Sequence, residues 1–84
     1  MANPVMVNVP ANAWTKVATN VTSGVIYNIS NLPLFQTYRM TGDPAPTSRE
    51  EGVDIGDGEA EILSGDGIDI YLWSNSEGKI RLDI

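Results

Sequence analysis

Apolar and polar positions alternate with a period of two through most of the chain, and nowhere does a 3.6-residue apolar period run for any length. Period-two alternation marks strands with one buried face. It is strictest in the last seventeen residues. Ile68, Ile70 and Leu72 share one side of Ile68–Trp73 while Asp69, Tyr71 and Trp73 take the other. After Ser74–Gly78, Ile80, Leu82 and Ile84 alternate with Lys79, Arg81 and Asp83 in the same way. The pattern predicts a C-terminal β-hairpin over Ile68–Ile84, one face aliphatic and the other mixed aromatic and charged.

Upstream, the same pattern predicts Val5–Val9, stopped by Pro10, which has no N–H to give a ladder. Trp14–Val21 follows, then a turn at Thr22-Ser-Gly24 and a strand at Val25–Ile29. Asn31-Leu-Pro33 breaks the chain before Leu34–Met40, where either Leu34 or Phe35 sets the register. Thr41–Gly52, with two prolines and two glycines, reads as a long loop, either a docking element or a plain crossover. Val53–Ile55, a turn at Gly56-Asp-Gly58, Glu59–Leu63 and a turn at Ser64-Gly-Asp-Gly67 complete the pass; Asp-Gly pairs favour turns because both residues tolerate positive φ. The expectation is an all-β single domain over residues 1–84, a small antiparallel β-sandwich or barrel of about seven short strands.

Size sharpens this expectation. A chain of 84 residues buries only about 60% of its unfolded surface, and with no cysteine it has no disulfide or thiolate zinc site to add stability. Oligomerisation is the remaining common route to more buried area. Five basic against eleven acidic residues give a net charge of −6, which argues against nucleic acid and against an anionic membrane surface. No apolar run reaches the length of a membrane span, and Met-Ala-Asn-Pro has no secretory pattern, so the reading expects neither a membrane anchor nor a leader.

Catalysis is disfavoured because histidine and cysteine, the commonest general base and the strongest nucleophile, are both missing. Asp54, Asp57, Glu59, Glu61, Asp66 and Asp69 form the best candidate for a hard cation, but the segment lacks the EF-hand spacing and any stacked Gly-Asp repeat. Turn and strand-face roles explain them better, and no cofactor or metal is expected. Asn20-Val-Thr22 and Asn28-Ile-Ser30 match the glycosylation sequon, which matters only in a eukaryotic secretory pathway.

The hairpin's second face is the candidate site. Simple register sets Trp73 opposite Lys79, Tyr71 opposite Arg81 and Asp69 opposite Asp83. The first two pairs suit cation–π contact, about 0.5–1 kcal/mol each when exposed, whereas the two aspartates need a cation or an external base. The face reads either as a self-satisfied ladder or as an interface. Aromatic residues and arginine are enriched at interface hot spots, so the reading takes Asp69, Tyr71, Trp73, Lys79, Arg81 and Asp83, with Arg49 of the long loop, as interface residues.

Val9-Pro-Ala-Asn-Ala-Trp14 followed by Val17-Ala-Thr-Asn-Val-Thr-Ser-Gly24 resembles the start of small β domains encoded among tailed-bacteriophage structural genes. Tyr38–Pro46, the Gly58-Glu59 turn and the final strand pair with Tyr71 and Lys79–Ile84 extend the likeness over most of the chain, although Tyr38-Arg-Met40 is bulkier and more polar than the aliphatic strand usual there. The resemblance implies a virion accessory protein assembled in the bacterial cytoplasm: a head decoration (cement) protein bridging coat subunits, or a small tail or fibre component. It implies coat or tail proteins as partners and a homo-oligomer, with a trimer favoured. The alternative is a tail- or fibre-associated carbohydrate- or receptor-binding module, in which Trp14, Tyr71 and Trp73 would stack on sugar rings beside Asp69 and Asp83.

Overall fold

Alternation places several strands where the computed structural model, which describes residues 4–83, has them. They are β1 (Val5–Val9), β2 (Thr15–Asn28), β3 (Leu34–Met40), β4 (Val53–Ile55), β5 (Ala60–Trp73) and β6 (Gly78–Asp83), with one 3-10 turn at Arg49–Glu51. All pairings are antiparallel, in one sheet of order β1-β6-β2-β5-β3-β4 that curls into a half-barrel. The all-β antiparallel class is as expected. Ile84, assigned to the aliphatic face, lies outside the described residues.

Two expected turns are continuous strand instead. Thr22-Ser-Gly24 lies inside β2 and Ser64-Gly-Asp-Gly67 inside β5, so four short segments become two 14-residue strands. Along β2 the register with β5 shifts between Lys16 and Ala18, Ala18 and Val21, and Val21 and Ser23. The first two each insert one extra β2 residue, as a bulge does, and at the third β5 carries two extra residues; such irregularities add bend and twist. Val21 and Ile26 are both buried although five residues apart, as are Leu63 and Ile68. Odd spacing means that each strand changes its core-facing side part-way along. The paired bends turn one half of the sheet over the other, and a Cβ added at Gly78 of β6 would lie 3.0 Å from Leu34 of β3.

The C-terminal hairpin is absent. β5 and β6 are consecutive but unpaired: Val25–Tyr27 of β2 lies between Ala60–Ile62 and β6, and Ile68–Trp73 is flanked by Thr15–Val21 of β2 and by β3. The connection from β5 is held elsewhere: Asn12 donates its N–H to the Ser74 carbonyl at 2.7 Å, and Ala11 bridges Ser74. Insertion of β2 sets Ile26 beside Leu82, with Ile26 and Ile80 fully buried and Leu82 nearly so. A two-stranded hairpin has no strand to cover it in that way.

Val9, Ile26, Leu34, Ile70, Leu72 and Ile80 form the innermost core. In β3 Leu34 is buried and Phe35 half-buried, so Leu34 sets the register. Asn28, also fully buried, donates to the carbonyls of Leu32 (2.8 Å) and Ile55 (2.9 Å) and accepts from Ser30, tying the ends of β2 and β4 together. The accessible surface is 4851 Å², against about 4,900 Å² expected for a globular chain of this mass. A single copy is therefore already as compact as an ordinary monomer.

Candidate functional site

The face carrying Asp69, Tyr71 and Trp73 is covered by the protein itself. From Gly67 to Leu72 every residue of β5 is buried, Asp69 at 2% and Tyr71 at 5% exposure. None of the expected cross-hairpin pairs forms. Asp69 faces Arg39 in the register with β3, Tyr71 lies between Lys16 and Thr37, and Trp73 faces Phe35.

Asp69 is the centre of this layer. Its Oδ1 accepts the Asn20 amide at 3.0 Å and the Thr41 hydroxyl at 2.8 Å, and its Oδ2 lies 3.3 Å from Lys16 Nζ. Asn20 sits at a β2 bulge with φ 55°, which turns its N–H towards the carboxylate. The amide, then the hydroxyl and the lysine, hold the Asp69 carboxyl below its ordinary pKa against the opposing effect of burial. Lys16, raised in turn chiefly by its hydrogen bond to Asp69, also lies 5.8 Å from the Tyr71 ring centre. Asp69 thus finds the cation that it was expected to need, from β2 rather than from a ligand or another protein.

Above this layer runs the loop Thr41–Gly52, fastened at both ends. Thr41 binds Asp69, and its N–H donates to the Gly67 carbonyl at 3.1 Å. At the far end Glu51 accepts the amides of Ser48 and Thr47, each at 2.9 Å, and pairs with Arg39 of β3. Those amides first, and Arg39 after them, lower the Glu51 pKa. Ser48 and Glu51 form a reciprocal capping box on the short 3-10 turn. Trp14 Nε1 donates to the Ser48 carbonyl at 3.1 Å, and the Trp14 and Trp73 rings meet edge to face at 5.8 Å. Arg49 stacks over Phe35 at 5.0 Å. At Gly52 a Cβ would come within 2.8 Å of the Trp14 ring and 2.9 Å of Phe35, so glycine lets the loop close onto the aromatic layer. Trp73 Nε1–H is buried with no acceptor in reach among the described residues, so packing alone holds that ring.

The other expected interface residues lie apart from this layer on β6. Arg81 stacks over Tyr27 at 5.3 Å and pairs with Asp83 at 3.3 Å, while Lys79 is exposed beside Asn8 of β1. Arg49, Lys79 and Arg81 are exposed, Trp73 and Asp83 half-buried, and Tyr71 and Asp69 buried. The acidic residues are dispersed. Asp57 accepts from the Asn31 amide at 2.9 Å and Glu59 from the Gly56 amide at 2.7 Å, and among the described residues no three carboxylates converge on one point. Asn28 of the second sequon is buried with both its N–H groups engaged, so that site is closed in the folded protein.

Residues that sequence reasoning passed over hold much of the exposed apolar surface: Tyr38 at 59%, Met40 at 50% and Ile62 at 78%. Tyr38 and Ile62 line a groove of about 180 Å³ with Gln36, Leu63 and Ile68, between β3 and the first half of β5. Alternation could not have found them: Tyr38 and Met40 share the parity of buried Leu34, which predicts core, and they are exposed because the second half of β3 runs beyond the covered part of the sheet. Comparison with known protein families, with characterised proteins and with solved structures gave no match.

Proposed function

We propose that this protein is a structural contact module without chemistry of its own, a head decoration or tail accessory component of a tailed-phage particle, and that it presents the Thr41–Gly52 loop to coat or tail proteins. The observation that carries the reading is the fastening of that loop. One face of the sheet serves to hold it: Asp69 and Glu51 fix its ends, and Trp14, Phe35 and Trp73 pack beneath it. A loop fixed in this way loses little entropy on binding, which is how preorganised surfaces gain affinity. Arg49 and Glu50, exposed on the 3-10 turn at its far end, are the residues it offers to a partner. The phage assignment itself rests on the resemblance of the Val9–Gly24 and Tyr38–Pro46 segments to such domains.

The aromatic rings that a saccharide would need point elsewhere. Trp14 and Trp73 contact each other and Tyr71 is buried, so no observation favours the carbohydrate reading.

Co-sedimentation with purified particles of the parent phage tests the proposal. Wild type should pellet with particles and appear in their protein inventory. Arg49→Ala should weaken binding at least tenfold, the scale of a single interface hot spot at about 1.4 kcal/mol. A chain absent from particles, or one whose binding ignores a Gly-Ser replacement of residues 43–50, would overturn it.

A further inference from the structure

The sheet curls without closing, so some strands lack a neighbour on one side. β4 has a free edge but pairs over only three residues. β2 has a strand neighbour over Thr15–Gly24 only on its β5 side, yet that stretch carries all the register shifts and the left-handed Asn20, which blunt it as a template. Thr37–Met40 of β3 pairs only with β5, but the Thr41–Gly52 loop is fastened there through Arg39 and Glu51. Two regular edges carry no such covering. β1 pairs with β6 over five residues in unbroken register, and Ala60–Ser64 of β5 pairs only with β2, unbroken from Ser23 to Tyr27. They match in length, and each presents an exposed apolar side chain: Met6 at 60% on β1 and Ile62 at 78% on β5.

Their electrostatic surroundings differ. Val53–Gly67 contains Asp54, Asp57, Glu59, Glu61 and Asp66 and no lysine or arginine. Among the described residues none of these five has an ion-pair partner. β1 is uncharged, and its neighbour β6 carries Lys79 beside Asn8 and Arg81 beside Met6. Lys79, too, has no ion pair among the described residues.

We infer that β1 of one copy of this chain adds to the Ala60–Ser64 edge of β5 in a second copy, head to tail, beside the groove lined by Tyr38 and Ile62. The junction covers Met6 and Ile62 and completes both ladders with backbone hydrogen bonds. It sets β6 of one copy two strand spacings, about 10 Å, from the acidic edge of the next. That is close to a Debye length at physiological ionic strength, about 8 Å, so Lys79, which has no ion pair among the described residues, attracts the acidic edge across it, whereas Arg81 is already paired with Asp83. Because the two edges differ, the contact is heterologous. An open assembly keeps one edge of each kind free at its ends until a ring closes, and an open filament results if none does. The inference needs no particle, and its test is independent of the proposed function.

Sedimentation equilibrium of the full chain gives the readout. Wild type should form species at multiples of 9.1 kDa. Met6→Lys and Ile62→Lys, both at exposed positions, should each give a 9.1-kDa monomer with an unchanged far-UV circular dichroism spectrum. Mixed in equal amounts, the two variants should form a complex of two chains, because each supplies the edge that the other has lost. Val53→Lys, on β4, should leave assembly intact. In a milder pair, Glu61→Lys should weaken assembly at least fivefold and Lys79→Glu in the same chain should restore it. A monomeric wild type, loss of assembly with Ile62→Lys but not with Met6→Lys, a mixture that stays monomeric, or loss of assembly with Val53→Lys would each overturn the inference.

Discussion

Asp69 shows how one side chain joins three parts of the molecule. Its two oxygens hold the β2 bulge through Asn20, the start of the loop through Thr41 and the first residues of β2 through Lys16, while Arg39 faces it from β3 and Tyr71 lies two residues on in β5. Its folded-state pKa is lowered, so the stability it contributes is present above its unfolded value, about 4, and is lost as pH falls through the depressed folded value. Glu51 acts in the same direction. Lys16 has the opposite sign: its raised pKa contributes fully below about 10.4 and the contribution disappears as pH rises through the folded value. Urea unfolding midpoints should therefore be level around neutrality and fall in acid. Asp69→Asn should lower the neutral plateau several times more than Asp83→Asn and flatten the acid limb. Parallel acid limbs for wild type and Asp69→Asn would place the acid sensitivity in other groups.

At the scale of elements, the sequence marks positions more reliably than partners. Val5–Val9, Leu34–Met40 and Val53–Ile55 are strands over the residues that alternation indicates. Thr22–Gly24 and Ser64–Gly67 carry turn residues, and they do interrupt a ladder, but as bends inside β2 and β5. Glycine and asparagine supply positive φ to a hairpin turn and to a bulge alike, so local chemistry leaves the two open and pairing partners decide. The final hairpin failed for a related reason. Period two determines which side chains share a face, and Ile70, Leu72, Ile80 and Leu82 are core as read. It is silent on which strand lies alongside, and β2 enters between. The candidate site was lost with that register, since covering the second face takes a loop and two strands distant in sequence. Gly67 tests the bulge reading. Its φ of +89° and the Asn20 Oδ1 that a Cβ would meet make Gly67→Ala costly, by about 1–3 kcal/mol. Gly58→Ala, with positive φ in an open turn and nothing within 4 Å, should cost only the backbone term, about 1–2 kcal/mol. Equal losses in thermal unfolding would mean that the Asn20 contact is irrelevant to the bend.

Over the whole molecule the first and last strands pair: Val5 faces Leu82, while the nearest-in-sequence pairing, β3 with β4, brings Gln36 only to Val53. Closure entropy grows by about 0.6 kcal/mol per doubling of the loop. The β1–β6 pairing spans roughly two doublings more, or about 1.2 kcal/mol on that scale. β6 is itself positioned by β2, so β1 has no template until β2, β5 and β6 are in place. β1 should accordingly join after the folding transition state. Val9 is fully buried, and Val9→Ala should cost about 2 kcal/mol of stability. If β1 joins late, that loss appears almost entirely as faster unfolding, about 30-fold, with the folding rate unchanged. Ile70→Ala, in the centre of β5, should instead slow folding for a substantial share of its loss. Stopped-flow measurements in the Met6→Lys background, once sedimentation shows it to be monomeric, separate the two limbs. Slower folding for Val9→Ala in proportion to its lost stability would place the β1–β6 pair in the nucleus and reverse the order of assembly.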